Sequence, residues 1–193
     1  LALSGVRGAE ICRVPSDDRR DGVRWADVTL EDGTITVFEK SREYEQAPLP
    51  ERVVDVLRRH KRVQSPGSED WPVFPTDHRP TLADAVRERR DDGDALREEH
   101  TTVEILDEYD VVPPAITTGG ARSIMKRLCD AAEIDVDGEY LKPHGGRRGL
   151  GDVLYREDPA LAQLTLRHRS IETTHESYSD IQASEVAASI DDV

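Results

Sequence analysis

A mainly α-helical domain with one small three-stranded antiparallel β-sheet (α+β) is the fold class that this sequence predicts. Three observations point there. Apolar residues recur at helical spacing in most segments beyond residue 51, and only residues 23 to 50 read as extended, around an Asp32-Gly33 turn signal. No internal repeat or long low-complexity tract interrupts the 193 residues, whose 36% hydrophobic content suffices for one domain with a real core.

The elements follow in order. LALSGVRGAEICRV carries Leu3, Val6, Ile11 and Val14 at roughly helical spacing, so the chain is expected to begin inside a helix with Arg7 and Glu10 on one side. Three strands are expected at VRWADVTL, TITVFEK and QAPLP, with Lys40 at the end of the second, in the connection to the third. Taken alone, Lys40 reads as a solvated edge-strand lysine. ERVVDVLRRHKRV and TLADAVRERR read as helices separated by the loop SPGSED and the short WPVFPT, and DALREEHTTVEILDEYD as a further helix or an ordered excursion. After VVPP, Thr117 or Thr118 is expected to cap ARSIMKRLCDAAEI, whose Ile124, Leu128 and Ala131 form one stripe. PHGGRRGLGDVLYRE, DPALAQLTL and a helix capped by Ser170 and carrying Tyr178 complete the expected order.

Composition bounds the function. No apolar run approaches the roughly 20 residues of a membrane span, and LALSGVRGAE lacks the regions of a signal peptide, so the chain is read as cytoplasmic. Cys12 and Cys129 stand singly without metal-ligand spacing and read as core thiols. The formal net charge is -14, with 40 acids against 26 cations, of which only Lys40, Lys61, Lys126 and Lys142 are lysines. Such a dense carboxylate surface stays hydrated where salt screens charge, and a halophilic, haloarchaeal source is expected. The rival reading is an acidic protein that binds basic partners.

Against that background LKPHGGRRGLGDVLYRE concentrates cations at a helix start, where His144 and Arg147 share a face beside unpaired amides and make an anion-facing arrangement. Neither GxxxxGK[ST] nor a GxGxxG following a strand is present, so the glycines do not read as a nucleotide loop.

PHGGRRGLGDVLYRE followed by LTLRHRSIETTHESYSD resembles the HxxR, (L)GH and Tyr signature of the tyrosine recombinase, or phage integrase, family, in its Xer-like site-specific form. GVRGAEI is similar to that family's first-arginine motif, and the motifs stand in the family's order over nearly the whole chain. The resemblance implies that residues 1–193 are a catalytic domain, and that an N-terminal DNA-clamping, core-binding domain is absent from this chain. It implies that Arg7 and Arg147 grip the scissile phosphate, that His144 is the histidine of HxxR and His168 that of (L)GH, that Lys40 is the hairpin lysine, and that Tyr178 is the nucleophile. It also implies double-stranded DNA as partner, a homotetramer on DNA with a monomer in its absence, and a C-terminal helix at IQASEVAASI. The family's glycine before the second histidine is Arg167 here, and Tyr178 lies ten residues beyond His168, one more than in many relatives.

The chemistry suits those residue types. Guanidinium forks donate in pairs to phosphoryl oxygens that gain charge during attack. A phenol with an ordinary pKa of about 10 needs a proton acceptor, for which His144 is placed, while His168 can donate to the phosphate and Lys40 can protonate the leaving 5′-oxygen. A 3′-phosphotyrosine conserves the bond energy, so no metal or other cofactor is expected. Lys142, Arg148, Arg169, Arg122 and Lys126 are the expected phosphate contacts.

Several alternatives stay open at this point. Tyr140 and Tyr155 are rival nucleophiles, His144, His168 and His175 a rival metal set, and PSDDRRD a rival carboxylate cluster. A type IB-like topoisomerase and a catalytically inactive DNA-binding relative are the competing functions.

Overall fold

The structure, a computed structural model, describes residues 2–136 and 138–179. In chain order it contains α1 (Gly8–Ile11), β1 (Val28–Thr29), β2 (Thr34–Phe38), β3 (Tyr44–Pro48), α2 (Glu51–Gln64), α3 (Arg79–Arg89), α4 (Gly93–Glu99), α5 (Thr102–Glu108), α6 (Thr118–Ala131), α7 (Pro143–Glu157), α8 (Pro159–Leu166) and α9 (Ile171–Ser177). The class is the expected one, helices around a three-stranded antiparallel sheet of order β1-β2-β3.

The sheet is built on β2, whose Ile35 and Val37 point into the core. Val28 pairs with Ile35 on one side, and Thr34 to Phe38 pair with Pro48 to Tyr44 on the other. The Asp32-Gly33 turn forms with Gly33 at φ +63°, and a Cβ there would lie 2.9 Å from the Leu49 carbonyl oxygen, so the turn needs glycine. Trp25, Val37, Val73, Val86, Ile105 and Val111 anchor the main core. A second, smaller cluster joins α7, α8 and the end of α9 through Tyr155, Ala162, Leu166 and Tyr178. Cys12 and Cys129 are buried free thiols.

Four segments differ from the sequence reading. The chain does not begin inside a helix: Gly5 takes φ +66°, and the Glu10 carboxylate caps the Arg7 amide at 2.7 Å, so α1 is a single turn. The first expected strand shrinks to two residues because Asp27 accepts from the Arg24 amide (2.8 Å) and folds Trp25–Asp27 into a 3₁₀ turn. The third strand runs over 44 to 48. The expected α6 stripe is only partly covered, with Leu128 62% exposed and Cys129 the buried residue, because Ile124 and Met125 line a cleft and not the core.

Other local signals act as read. Thr117 accepts from the Gly120 amide (3.0 Å) at the start of α6. The 94 to 110 stretch divides into α4 and α5 at Thr101, where a reciprocal Thr101–Glu104 capping box restarts the helix. Among the described residues no helix is long and apolar enough to cross a membrane. The expected helix at 181 to 190 lies outside the described residues.

Candidate functional site

Pro143 occupies the first turn of α7, where its missing N–H costs nothing, with extended Lys142 before it. Helical spacing then puts His144, Arg147, Gly151 and Tyr155 along one face. Arg147, Gly151 and Tyr155 are buried, while His144 is exposed at the open end.

Arg147 is the unusual residue of this face. Only 4% exposed, its guanidinium donates from Nη1 to the Gly5 carbonyl and from Nη2 to that of Leu166, with no carboxylate partner among the described residues. Burial, and then the nearby charges of Arg7 and Arg167, push its pKa down to about 10 against the attraction of Glu10. It remains cationic at neutral pH, so a buried positive charge stands there largely uncompensated.

Arg7 is held differently. Its Nη1 donates to Glu10 Oε1 (2.5 Å) and Glu39 Oε1 (2.8 Å), and its side chain is 31% exposed. Burial opposes its charge, but the bonds and attraction to Glu10 and Glu39 outweigh it, and the pKa is raised. Arg7 and Arg147 line one cleft of about 1090 Å³ together with His144, Lys142 and Arg122.

His168 follows α8, half-buried, with Nδ1 3.0 Å from the hydroxyl of fully buried Thr174. In the tautomer in which Thr174 donates to Nδ1, Nε2 carries the proton and is free to donate. Burial, then the charges of Arg147 and Arg7, lower the pKa of His168, with Glu39 opposing.

Tyr178 ends α9 and is 4% exposed, its ring stacked on Tyr155 at 5.4 Å between centroids. The phenol oxygen lies over Gly151, one helical turn beyond Arg147, where any Cβ would overlap it. Burial raises its pKa, Arg147 and Arg148 pull it back, and Asp152 adds to the rise. Tyr178 is not among the residues lining the cleft. Of its rivals, Tyr140 lines the cleft, and Tyr155 hydrogen-bonds His175 Nδ1 at 2.6 Å inside the cluster.

Lys40 stands exposed on the turn between β2 and β3, with no side-chain partner among the described residues. The structure therefore brings Arg7, His144 and Arg147 to one cleft, which His168, Tyr178 and Lys40 do not line; Tyr178 lies one turn of α7 from Arg147, over Gly151, and Lys40 stands on the β2–β3 hairpin. Among the other cations, Arg122 reaches the cleft, Lys142 lines it while paired with Glu139, and Lys126, Arg148 and Arg169 are exposed. Among the described residues no three His, Cys, Asp or Glu side chains are grouped to hold a metal ion.

Sequence reasoning missed Glu39 and Gly151. Glu39 sits next to Lys40, and Gly151 falls four residues after Arg147 on α7, so the strand alternation and the helical period each carried a signal.

No family model and no curated protein sequence matches the chain. Solved structures match at the level of the fold. XerA recombinase aligns over 95% of this chain and 54% of its own at 16% identity, TM-score 0.57. XerH site-specific recombinase, in a post-cleavage complex on its palindromic difH substrate, aligns over 100% of this chain and 44% of its own at 19% identity, TM-score 0.56. The Tn1549 transposon integrase, in complex with transposon right end DNA, covers 97% of this chain and 56% of its own at 15% identity, TM-score 0.55. The fold is thus that of a tyrosine recombinase catalytic domain. The chain spans about half the length of these solved structures.

Proposed function

We propose that this chain is the catalytic domain of a site-specific DNA recombinase that cuts and rejoins strands through a 3′-phosphotyrosine. The observation that carries the reading is Arg147, a buried guanidinium with only carbonyl partners, beside Arg7 in a single cleft. A buried cation without a counter-charge is costly unless an anion completes it. A phosphodiester is the anion that two convergent forks and an uncharged histidine donor fit.

In this reading Arg7 and Arg147 bind the non-bridging oxygens and His168 donates from Nε2. The Tyr178 oxygen attacks phosphorus and its proton passes to His144. The bond to the 5′-oxygen breaks and Lys40 protonates that oxygen, leaving DNA joined to Tyr178 through its 3′-phosphate. Rejoining is the same step reversed, so no bond energy is lost and no metal or nucleotide cofactor enters. Tyr178 must leave its stack on Tyr155 to attack, and its buried phenol is a protonated resting state. The same reading assigns double-stranded DNA as partner, a homotetramer on DNA and a monomer without it, an N-terminal DNA-clamping domain in the complete enzyme, and a cytoplasmic site of action. The acid-rich surface fits work at high salt in a halophilic host.

The test uses nicked duplexes of randomised sequence incubated with the full chain and denatured in detergent. A covalent protein–DNA species lost in Tyr178→Phe but kept in Tyr140→Phe is expected. Relaxation of any supercoiled plasmid without strand exchange would identify a type IB-like topoisomerase instead. DNA binding without any adduct would identify an inactive relative and overturn the proposal.

A further inference from the structure

Arg167 occupies a place that backbone geometry reserves for glycine. It closes α8 at φ +53° and ψ +46°, in the left-handed region where a Cβ is strained. Its side chain nevertheless folds inward, only 6% exposed, into a group of carboxylates. Nη2 donates to Glu10 Oε2 (2.6 Å), Nε donates to Glu39 Oε1 (3.0 Å), and Glu45 Oε2 stands 3.8 Å away.

Glu10 and Glu39 are the same two carboxylates that hold Arg7. Glu39 Oε1 accepts from both guanidiniums, and Glu10 meets Arg7 through Oε1 and Arg167 through Oε2. Their side chains are 1% and 8% exposed, so neither charge is solvated. Two buried carboxylates facing Arg7 alone would leave one charge uncompensated, and they would compete with a phosphate for its guanidinium. Arg167 balances the second carboxylate. The residue after Glu39 is Lys40 and the residue after Arg167 is His168, so one ion pair ties the hairpin to the α8–α9 connection.

We infer that Arg167 is a positioning residue, which through Glu10 and Glu39 fixes the Arg7 guanidinium and locks the Lys40 hairpin against the His168 segment. The inference rests on the recombinase reading for its catalytic consequence, but the placement of Arg7 does not.

Charge counting makes the test specific. Arg167→Gly suits the backbone but leaves two carboxylates on one arginine. Glu39→Gln leaves one buried carboxylate, Glu10, between two arginines, with Glu45 still 3.8 Å from Arg167 at the edge. The double variant restores one to one. Two readouts are taken on the full chain: ¹⁵N-resolved guanidinium signals of Arg7 without DNA, and the single-turnover rate of covalent adduct formation on the nicked duplexes.

Each single variant is expected to lower the adduct rate by about a hundredfold at nearly unchanged DNA affinity, and the double variant to recover about tenfold of that loss. The Arg7 signals should broaden in each single variant and sharpen again in the double. Unaltered Arg7 signals in Arg167→Gly, or a double variant no better than the worse single, would overturn the inference. Should the parent chain form no adduct, the recombinase reading fails, and the Arg7 signals alone still decide whether Arg167 positions that guanidinium.

Discussion

The two arginines of the cleft sit in opposite electrostatic surroundings. Arg7 lies in an ionic group in which two buried carboxylates, Glu10 and Glu39, are each shared with Arg167, and the half-buried Glu45 stands at its edge 3.8 Å from Arg167. Arg147 donates to two backbone carbonyls and has no carboxylate partner among the described residues, only the more distant attraction of Glu10. A balanced group fixes geometry before any ligand arrives, whereas an unbalanced buried cation stores affinity for an anion. The site thus divides into a half that orients and a half that attracts.

Replacing either arginine by glutamine tests that division most severely. Both Arg147→Gln and Arg7→Gln are expected to lower adduct formation by about 10²–10³-fold, the typical loss of a preorganised charge-stabilising donor. Their stabilities should diverge. Arg7→Gln leaves Glu10 and Glu39 sharing one cation and should cost roughly 1–3 kcal/mol, discounted from a fully buried pair because Arg7 is partly exposed. Arg147→Gln removes a charge without a directly paired carboxylate among the described residues and should change stability less, as urea midpoints would show. Equal losses of stability in the two variants would erase the distinction between the halves.

Gly151→Ala probes the attracting half at Tyr178, the proposed nucleophile. An alanine in a helix interior ordinarily stabilises by about 1 kcal/mol over glycine. Here the added Cβ would overlap the Tyr178 phenol and lie 2.9 Å from Leu166 Cδ1, so overpacking of about 1–3 kcal/mol wins and net destabilisation is expected. Tyr178→Phe/Gly151→Ala should be less destabilised than Gly151→Ala, because the overlapping oxygen is gone. If Gly151→Ala instead raises the thermal midpoint, Tyr178 does not rest over α7.

Much of this is legible in the sequence, and unevenly so. The hairpin at Asp32-Gly33, the Thr117 and Ser170 caps and the helical face of PHGGRRGLGDVLYRE are local signals, written within a few residues of where they act. The shortened α1 was not legible, because its start depends on the Glu10 side chain turning back to the Arg7 amide, and its end on the extended backbone of Cys12. The exposed Leu128 was misread because periodicity reports an apolar face without saying whether a core or a cleft covers it. The spacing of Arg7 and Glu10 is legible, but their joining to Glu39 and Arg167 spans 32 and 157 positions and leaves no periodic trace. The helical period puts Gly151 on the face of Arg147, but its need for a bare Cα arises from a tyrosine 27 positions later.

His168 offers a milder probe through pH. Its pKa is depressed, so as pH falls the unfolded chain binds the proton first. The contribution is complete above the unfolded value of about 6.5 and is lost as pH drops through the folded one. Wild-type stability should therefore fall more steeply below that pH than the stability of His168→Asn, whose amide oxygen can still accept from Thr174. Parallel curves would mean that neither burial nor the charges of Arg147 and Arg7 disfavour the protonated imidazole.

The smallest expected effects separate cations that reach the cleft freely from those already engaged. Arg122 lines the cleft beside His144 and has no carboxylate partner among the described residues, whereas Lys142 lines it while paired with Glu139. A phosphate contact by Arg122 releases counterions without first breaking an ion pair, so Arg122→Ala should weaken affinity for duplex DNA and reduce the salt slope by about one. Lys142→Ala should alter both less, because the lysine gives up Glu139 when it turns to phosphate and the exchange nearly cancels. Binding isotherms over a salt series resolve the two. An equal change in slope for both variants would mean that DNA draws Lys142 from Glu139 at no cost, and that the acidic surface does not compete for the cations of the cleft.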